Sequence, residues 1–165
     1  MLIVGIDPGF GGAIARFDTS APDYSLEVWD MPVHVLRRGG KVKRDVDPYA
    51  LVAILRDQKV DHCFIELVNA MPGQGVSSVF AFGKAYGMAI CAVACVGIPL
   101  TLVPPKTWKK ALTVPAAKDG ARARASQLLP GGADRWQLVK HDGRAEAALI
   151  ALYGARSLNE TRAAA

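Results

Sequence analysis

The chain reads as an α/β protein built on one mixed five-stranded sheet flanked by helices. Three observations predict this. Five short strand-like segments, at 2–6, 13–17, 25–29, 63–65 and 100–103, the third of them alternating, are each bounded by turn residues or polar stretches. The first three are joined by short turns, which suits an antiparallel meander. The last two are separated from their predecessors by helical patterns, which suits crossover connections and sheet faces covered by helices.

Taken in order, Leu2 to Ile6 is a buried strand that ends at Asp7. The breaker-rich turn Asp7-Pro8-Gly9-Phe10-Gly11-Gly12 follows, then strands at Ala13–Phe17 and, after the Ala21-Pro22-Asp23 turn, Ser25–Trp29. Met31 to Asp45 reads as a polar, basic loop. Asp47-Pro48 supplies a cap and a first-turn proline for a helix reaching Gln58. Cys63-Phe64-Ile65 is a fourth strand ending at Glu66. Val79 to Val96 spans eighteen residues with Lys84 as its sole charge; strands on both sides favour a buried helix over a membrane span. Its Gly83 and Gly87, with Ala85 and Ala89 between and beyond them, would let a sheet or a second copy approach closely. Leu100–Val103 is the fifth strand. Pro104-Pro105 opens a basic helical turn, Lys118–Leu129 is helical, and the closing helix runs from Asp142 to Ser157. Residues 1–158 form a single domain, with a disordered tail at 159–165.

Composition narrows the class. Of 165 residues, 51% are hydrophobic and 21% charged, which is globular rather than disordered. The net charge is +5, and it is unevenly placed. Thr101 to Arg144 holds nine Lys and Arg against three Asp, and five more cations (Arg37, Arg38, Lys41, Lys43, Arg44) crowd around Gly39-Gly40. Two basic zones flanking acidic positions suit a protein that grips phosphates on either side of a reactive centre. Cys63, Cys91 and Cys95 are odd in number, lie in apolar surroundings and lack a zinc-like pattern, so they read as buried, reduced thiols. With no secretory leader in view, the expected location is cytoplasmic: a bacterial cell, or the host's cytoplasm for a phage-encoded protein.

Four carboxylates carry the chemistry. Asp7 and Glu66 each stand at the carboxyl end of an apolar strand, the rim where open α/β sheets bind ligands. Asp142 and Glu146, four apart, share one face of the last helix, a spacing at which like charges repel unless a cation lies between them. An all-carboxylate set without a Cys or His cage selects a hard cation, Mg²⁺ or Mn²⁺. Two such ions can activate water and stabilise the leaving oxygen of a phosphodiester. His141 adjoins the set, where it could ligate, donate to a phosphate or pack.

The segments Ile3-Val4-Gly5-Ile6-Asp7-Pro8-Gly9, Phe64-Ile65-Glu66, Gly83-Lys84-Ala85-Tyr86-Gly87, Pro104-Pro105-Lys106-Thr107-Trp108 and Lys140-His141-Asp142-Gly143-Arg144-Ala145-Glu146-Ala147 together resemble RuvC-type Holliday-junction resolvases, in the short form found in phages and their bacterial relatives. The resemblance implies a ribonuclease-H-like fold, a homodimer, and Mg²⁺-dependent paired nicking of four-way DNA junctions. Asp7, Glu66 and Glu146 match the family's metal-binding positions. Asp142 stands four residues before Glu146, where the better-known cellular enzymes have a spacing of three. The family's junction-wedging aromatic is replaced by Asn69, leaving Met71 and Phe80 as candidates for its place. The expected DNA contacts are Lys106, Lys109, Lys110, Arg122, Arg124, Lys140 and Arg144, with Trp108 stacking on a base or packing in the core. The rival readings are a ribosomal-RNA-processing nuclease of the same fold, a non-catalytic nucleic-acid-binding module, and an actin-like phosphate-binding ATPase. The last would need a second phosphate loop, which the sequence lacks.

Overall fold

The computed structural model describes residues 1–21, 24–56, 59–70 and 72–164. The expected turn at Pro22-Asp23, the helix end at Gln58 and the wedge candidate Met71 lie outside those residues. The five expected strands are β1 (Leu2–Asp7), β2 (Ala13–Asp18), β3 (Ser25–Asp30), β6 (His62–Glu66) and β7 (Leu100–Val103), with β4 (Val33–Arg38) and β5 (Lys41–Val46) between them in the chain. The sheet order is β3-β2-β1-β6-β7. β1, β2 and β3 form the antiparallel meander; β6 joins β1, and β7 joins β6, in parallel.

Helices cover both faces, as a parallel core requires. α1 (Pro48–Arg56) and α2 (Val76–Cys95) lie on one face, while α3 (Pro105–Ala111), α4 (Gly120–Leu128) and α5 (Asp142–Ala163) lie on the other. The alternation of strand side chains divides the core accordingly. Val4, Ile6, Cys63 and Ile65 pack toward α1 and α2, whereas Ile3 and Phe64 pack toward α5. Gly5 and Gly154 mark where backbone meets its neighbours most closely. A Cβ on Gly5 would lie 2.3 Å from the Ala147 carbonyl oxygen, and one on Gly154 would lie 2.3 Å from the Phe64 ring. Strand β1 therefore touches the backbone of α5 directly.

Three expectations change. The basic loop at 31–45 is a hairpin: β4 and β5 pair from Val33↔Val46 to Arg38↔Lys41, and Gly39 and Gly40 turn the chain with φ of 56° and 72°. Both central residues need positive φ in such a two-residue turn, and glycine accepts it without steric cost. The closing helix does not stop at Ser157 but continues to Ala163, so residues placed in a disordered tail form its exposed last turns.

Helix α2 begins at Val76 and is one-sided rather than buried. Ala85, Ala89, Ala92 and Val93 face the sheet, whereas Val76, Phe80, Gly83, Cys91 and Cys95 are exposed. Its length and composition would suffice for a membrane span, but its inner face packs on the sheet. Helix α1 and strand β5 lie alongside it, and Phe80, Gly83, Cys91 and Cys95 on its outer side remain exposed. Of the three cysteines expected to be buried, only Cys63 is.

Candidate active site

The period of two along each strand decides where the carboxylates point. Ile3, Gly5 and Asp7 share the α5 side of β1, and Phe64 and Glu66 share the α5 side of β6. The parallel register Ile6↔Ile65 then sets Asp7 beside Glu66 at the same rim. The first turn of α5 closes over that rim, with Gly143 against the Asp7 turn: a Cβ there would lie 2.4 Å from the Gly11 carbonyl oxygen and 2.9 Å from Asp7 Oδ2. Glu146, one turn further into α5, faces the same space.

These positions crowd negative charge. Burial first, and then the nearby Glu146 and Glu66 carboxylates, push the Asp7 carboxyl up to about 7, against the Gly9 N–H and Lys109, which favour its charged form. Burial and Glu146 also raise Glu66, against the opposing effect of a hydrogen bond from Trp108. A cation is already drawn in. Lys109, from α3, places its Nζ 2.8 Å from Glu146 Oε1, and its charge also acts on Glu66 and Asp7. Glu146, Glu66 and Asp7 raise the Lys109 pKa despite the cost of its partial burial.

Asp142 stands apart from this trio. Arg122 of α4 donates from Nε to its Oδ1 at 2.6 Å, while Glu146 and Glu66 are the carboxylates that most raise Asp7. It joins Glu146 in lining a groove of about 810 Å³ with Pro105, Lys106, Lys109, Lys110 and Lys118. His141 is further off: Nδ1 accepts from the Leu138 N–H at 3.4 Å, and partial desolvation with Arg144 and Lys140 nearby lowers its pKa.

The basic residues divide into two groups. Lys106, Lys110 and Lys140 are exposed, with no ion pair among the described residues. Arg124 instead donates from Nε to the Leu112 carbonyl at 2.6 Å and so closes the end of α3. Arg144 grips Asp30 with two bonds of 2.6 Å, tying α5 to the end of β3. Trp108 cannot stack on a base from its present position. It is fully buried, and its Nε1–H donates to Glu66 Oε1 at 3.1 Å. The indole is a support for a site carboxylate, a role that the surrounding cations obscured in the sequence. The position of Lys109 among the carboxylates had no sequence signal either, since a lysine between Trp108 and Lys110 reads as surface.

The donor set suits a hard divalent cation chemically, being three crowded carboxylates with no soft ligand. Among the described residues, however, no three His, Cys, Asp or Glu side chains stand at metal-holding spacing. Lys109 is paired with Glu146 and acts by its charge on Glu66 and Asp7.

No family model and no curated protein matches this chain. Solved structures do. A Thermus thermophilus RuvC in complex with a Holliday junction substrate matches with a TM-score of 0.65 at 18% identity, over 97% of this chain and 96% of that one. A second Thermus thermophilus RuvC structure matches with a TM-score of 0.60 at 19% identity, over 98% and 97%. The chain thus has the ribonuclease-H-like fold of RuvC along nearly its whole length.

Proposed function

We propose that this protein is a metal-dependent endonuclease that resolves four-way DNA junctions by paired, symmetric nicks. The observation that carries the reading is the convergence of Asp7, Glu66 and Glu146 at one rim, where burial first and the two neighbouring carboxylates second raise the Asp7 pKa to about 7, a setting that a bound cation would relieve. Asp7, Glu66 and Glu146 would hold Mg²⁺ or Mn²⁺, with Asp142 completing a two-ion set once released from Arg122. Bound there, the ions would supply an activated water and neutralise the leaving oxygen of a phosphodiester.

The chain's own residues have separable tasks. Trp108 fixes the orientation of Glu66. Lys109 offsets part of the carboxylate charge in the metal-free protein and would withdraw along the groove when a cation enters; Lys106, Lys110 and Lys118 line that groove as a path for a DNA backbone. The exposed side of α2 supports a homodimer. Gly83 and Gly87 lie on its open side, where added Cβ atoms would meet nothing within 4 Å, and a two-fold axis there would present two sites to two equivalent strands. Phe80, 74% exposed on the same helix, remains the candidate wedge.

The test is cleavage of synthetic four-way, three-way, flap and linear DNA, with Mg²⁺, with Ca²⁺ and with chelator. Mg²⁺-dependent paired nicks in the four-way substrate are expected. Preference for linear DNA or for structured RNA would replace the resolvase reading with a general or RNA-processing nuclease, and binding without cleavage would favour a non-catalytic module.

A further inference from the structure

We propose that the β4–β5 hairpin is a second DNA-binding element, which holds the sugar-phosphate backbone of a duplex arm on the α2 side of the catalytic rim. The proposal rests on the nuclease reading and adds where the DNA outside the cleavage point is gripped.

The charge of the hairpin is unspent. Arg37, Lys43 and Arg44 are exposed and have no ion pair among the described residues. The hairpin's one acid, Asp45, is buried and is occupied by the Lys84 ammonium of α2. That pair does not offset the exposed cations; it anchors the hairpin to the helix. Val46 and Val33, on the rung next to Asp45, join the core between the sheet and α2, so both anchors hold the base of the hairpin. A base held by both a charge pair and apolar packing sets the direction in which the hairpin and its cations project before DNA arrives, which reduces the ordering entropy lost on binding.

The location points to DNA rather than to a small anion. Lys43 and Arg44 line one wall of an open groove of about 860 Å³, and Phe80, Ala81 and Lys84 of α2 line the other. Phe10 also borders this groove, and it belongs to the turn that carries Asp7. The groove with Lys106, Lys110 and Lys118 lies on the α5 side of the sheet and includes Glu146. Two basic grooves thus run from opposite faces of the sheet toward one acidic rim. A strand crossing that rim continues into a duplex on each side, and a branched substrate has more than one such duplex to hold. Each strand of the hairpin is six residues long, roughly 20 Å at the usual rise, comparable with the width of a duplex.

The test is salt-dependent binding of the full chain to a four-way junction and to a linear duplex, comparing wild type with the triple variant Arg37→Gln/Lys43→Gln/Arg44→Gln. Losing three phosphate contacts should reduce the slope of log affinity against log salt by up to about 3, and weaken binding on the order of tenfold at moderate salt. The single Lys43→Gln variant should show about a third of the change in slope, which keeps the test valid if the triple variant folds poorly. Photo-crosslinking of wild type to a junction substituted along its arms should place the contact in peptide 33–46. Unchanged slopes in both variants, with no crosslink to that peptide, would overturn the proposal. If the hairpin dependence appears on linear duplex while junctions are neither preferred nor cut, the resolvase reading falls and the hairpin element stands.

Discussion

Lys109 Nζ lies 2.8 Å from Glu146 Oε1, and so the rim where three carboxylates converge carries a cation of the chain's own. The contact offsets part of the negative charge of the site, and it sets up a competition with any cation that enters. Without divalent ions, Lys109→Met should lower stability by on the order of 1 kcal/mol, a modest figure because the ammonium is partly solvated. Mg²⁺ should then raise the melting temperature of Lys109→Met more than that of wild type, since no internal cation has to leave. Thermal melts across a Mg²⁺ titration read this directly; equal shifts in the two proteins would remove Lys109 from the metal space.

Asp7 provides a pH test with a definite sign. Its folded-state pKa of about 7 lies above the ordinary 3.8, so between those values the folded state binds the extra proton. The contribution of Asp7 to stability is therefore lost as pH rises through that window, and the full cost is present above it. In chelator, Asp7→Asn should be more stable than wild type at pH 8, by on the order of 2 kcal/mol once solvent access is allowed for, and the gain should shrink toward pH 4. The same variant should bind junctions and fail to nick them. A nicking rate near wild type would overturn its assignment as a metal ligand.

Trp108→Phe separates support from contact. The variant keeps a buried aromatic ring but loses the donor to Glu66 and leaves a small cavity where the larger indole stood, at a total cost on the order of 2 kcal/mol. Junction affinity should hold while the nicking rate falls, because Glu66 loses its orientation. Reduced affinity in binding titrations would instead put the indole on the DNA.

On the α3 side, Lys106→Gln/Lys110→Gln should flatten the salt dependence of binding by roughly two phosphate contacts. Both residues are exposed, so folding should be unaffected; an unchanged slope would shift the principal DNA surface away from this groove.

Helix α2 gives a test of assembly at residues that burial separates. Gly83→Glu adds a side chain into open space and replaces a poor helix former, so the isolated chain should gain up to about 1 kcal/mol. Sedimentation should nevertheless find monomers, and the two nicks in a junction should become uncoupled. Ala85→Glu cannot serve, since Ala85 is buried against the sheet and a carboxylate there would disrupt folding. A wild-type monomer on junction DNA would end the dimer reading.

The five sheet strands and the crossover helices were legible because each strand carries apolar residues in a run bounded by breakers. Asp7 and Glu66 could be paired from sequence because both follow such runs. The β4–β5 hairpin was missed although Gly39-Gly40 is a hairpin turn, because cations interrupt the apolar alternation on both sides of it. Asp142 and Glu146 read as a matched pair at helical spacing, but spacing along one helix says nothing of α4, and Arg122 draws Asp142 away from the trio. The inward and outward sides of α2 were illegible for a related reason: glycine and alanine populate both, and only the packed sheet distinguishes them.

Gly5 gives the site a dependence that its own chemistry does not reveal. Strand β1 ends in Asp7, helix α5 presents Glu146, and between these elements at Gly5 there is room for a hydrogen atom and nothing larger. The separation of the two carboxylates is thus inherited from main-chain contact, with no compliant side chain to absorb an error. Any replacement at Gly5 would displace the helix as a body and carry Glu146 with it. Such a lesion would look like damage to the reactive centre, with DNA still held and left uncut, although the altered residue has no polar group and lies two positions before Asp7.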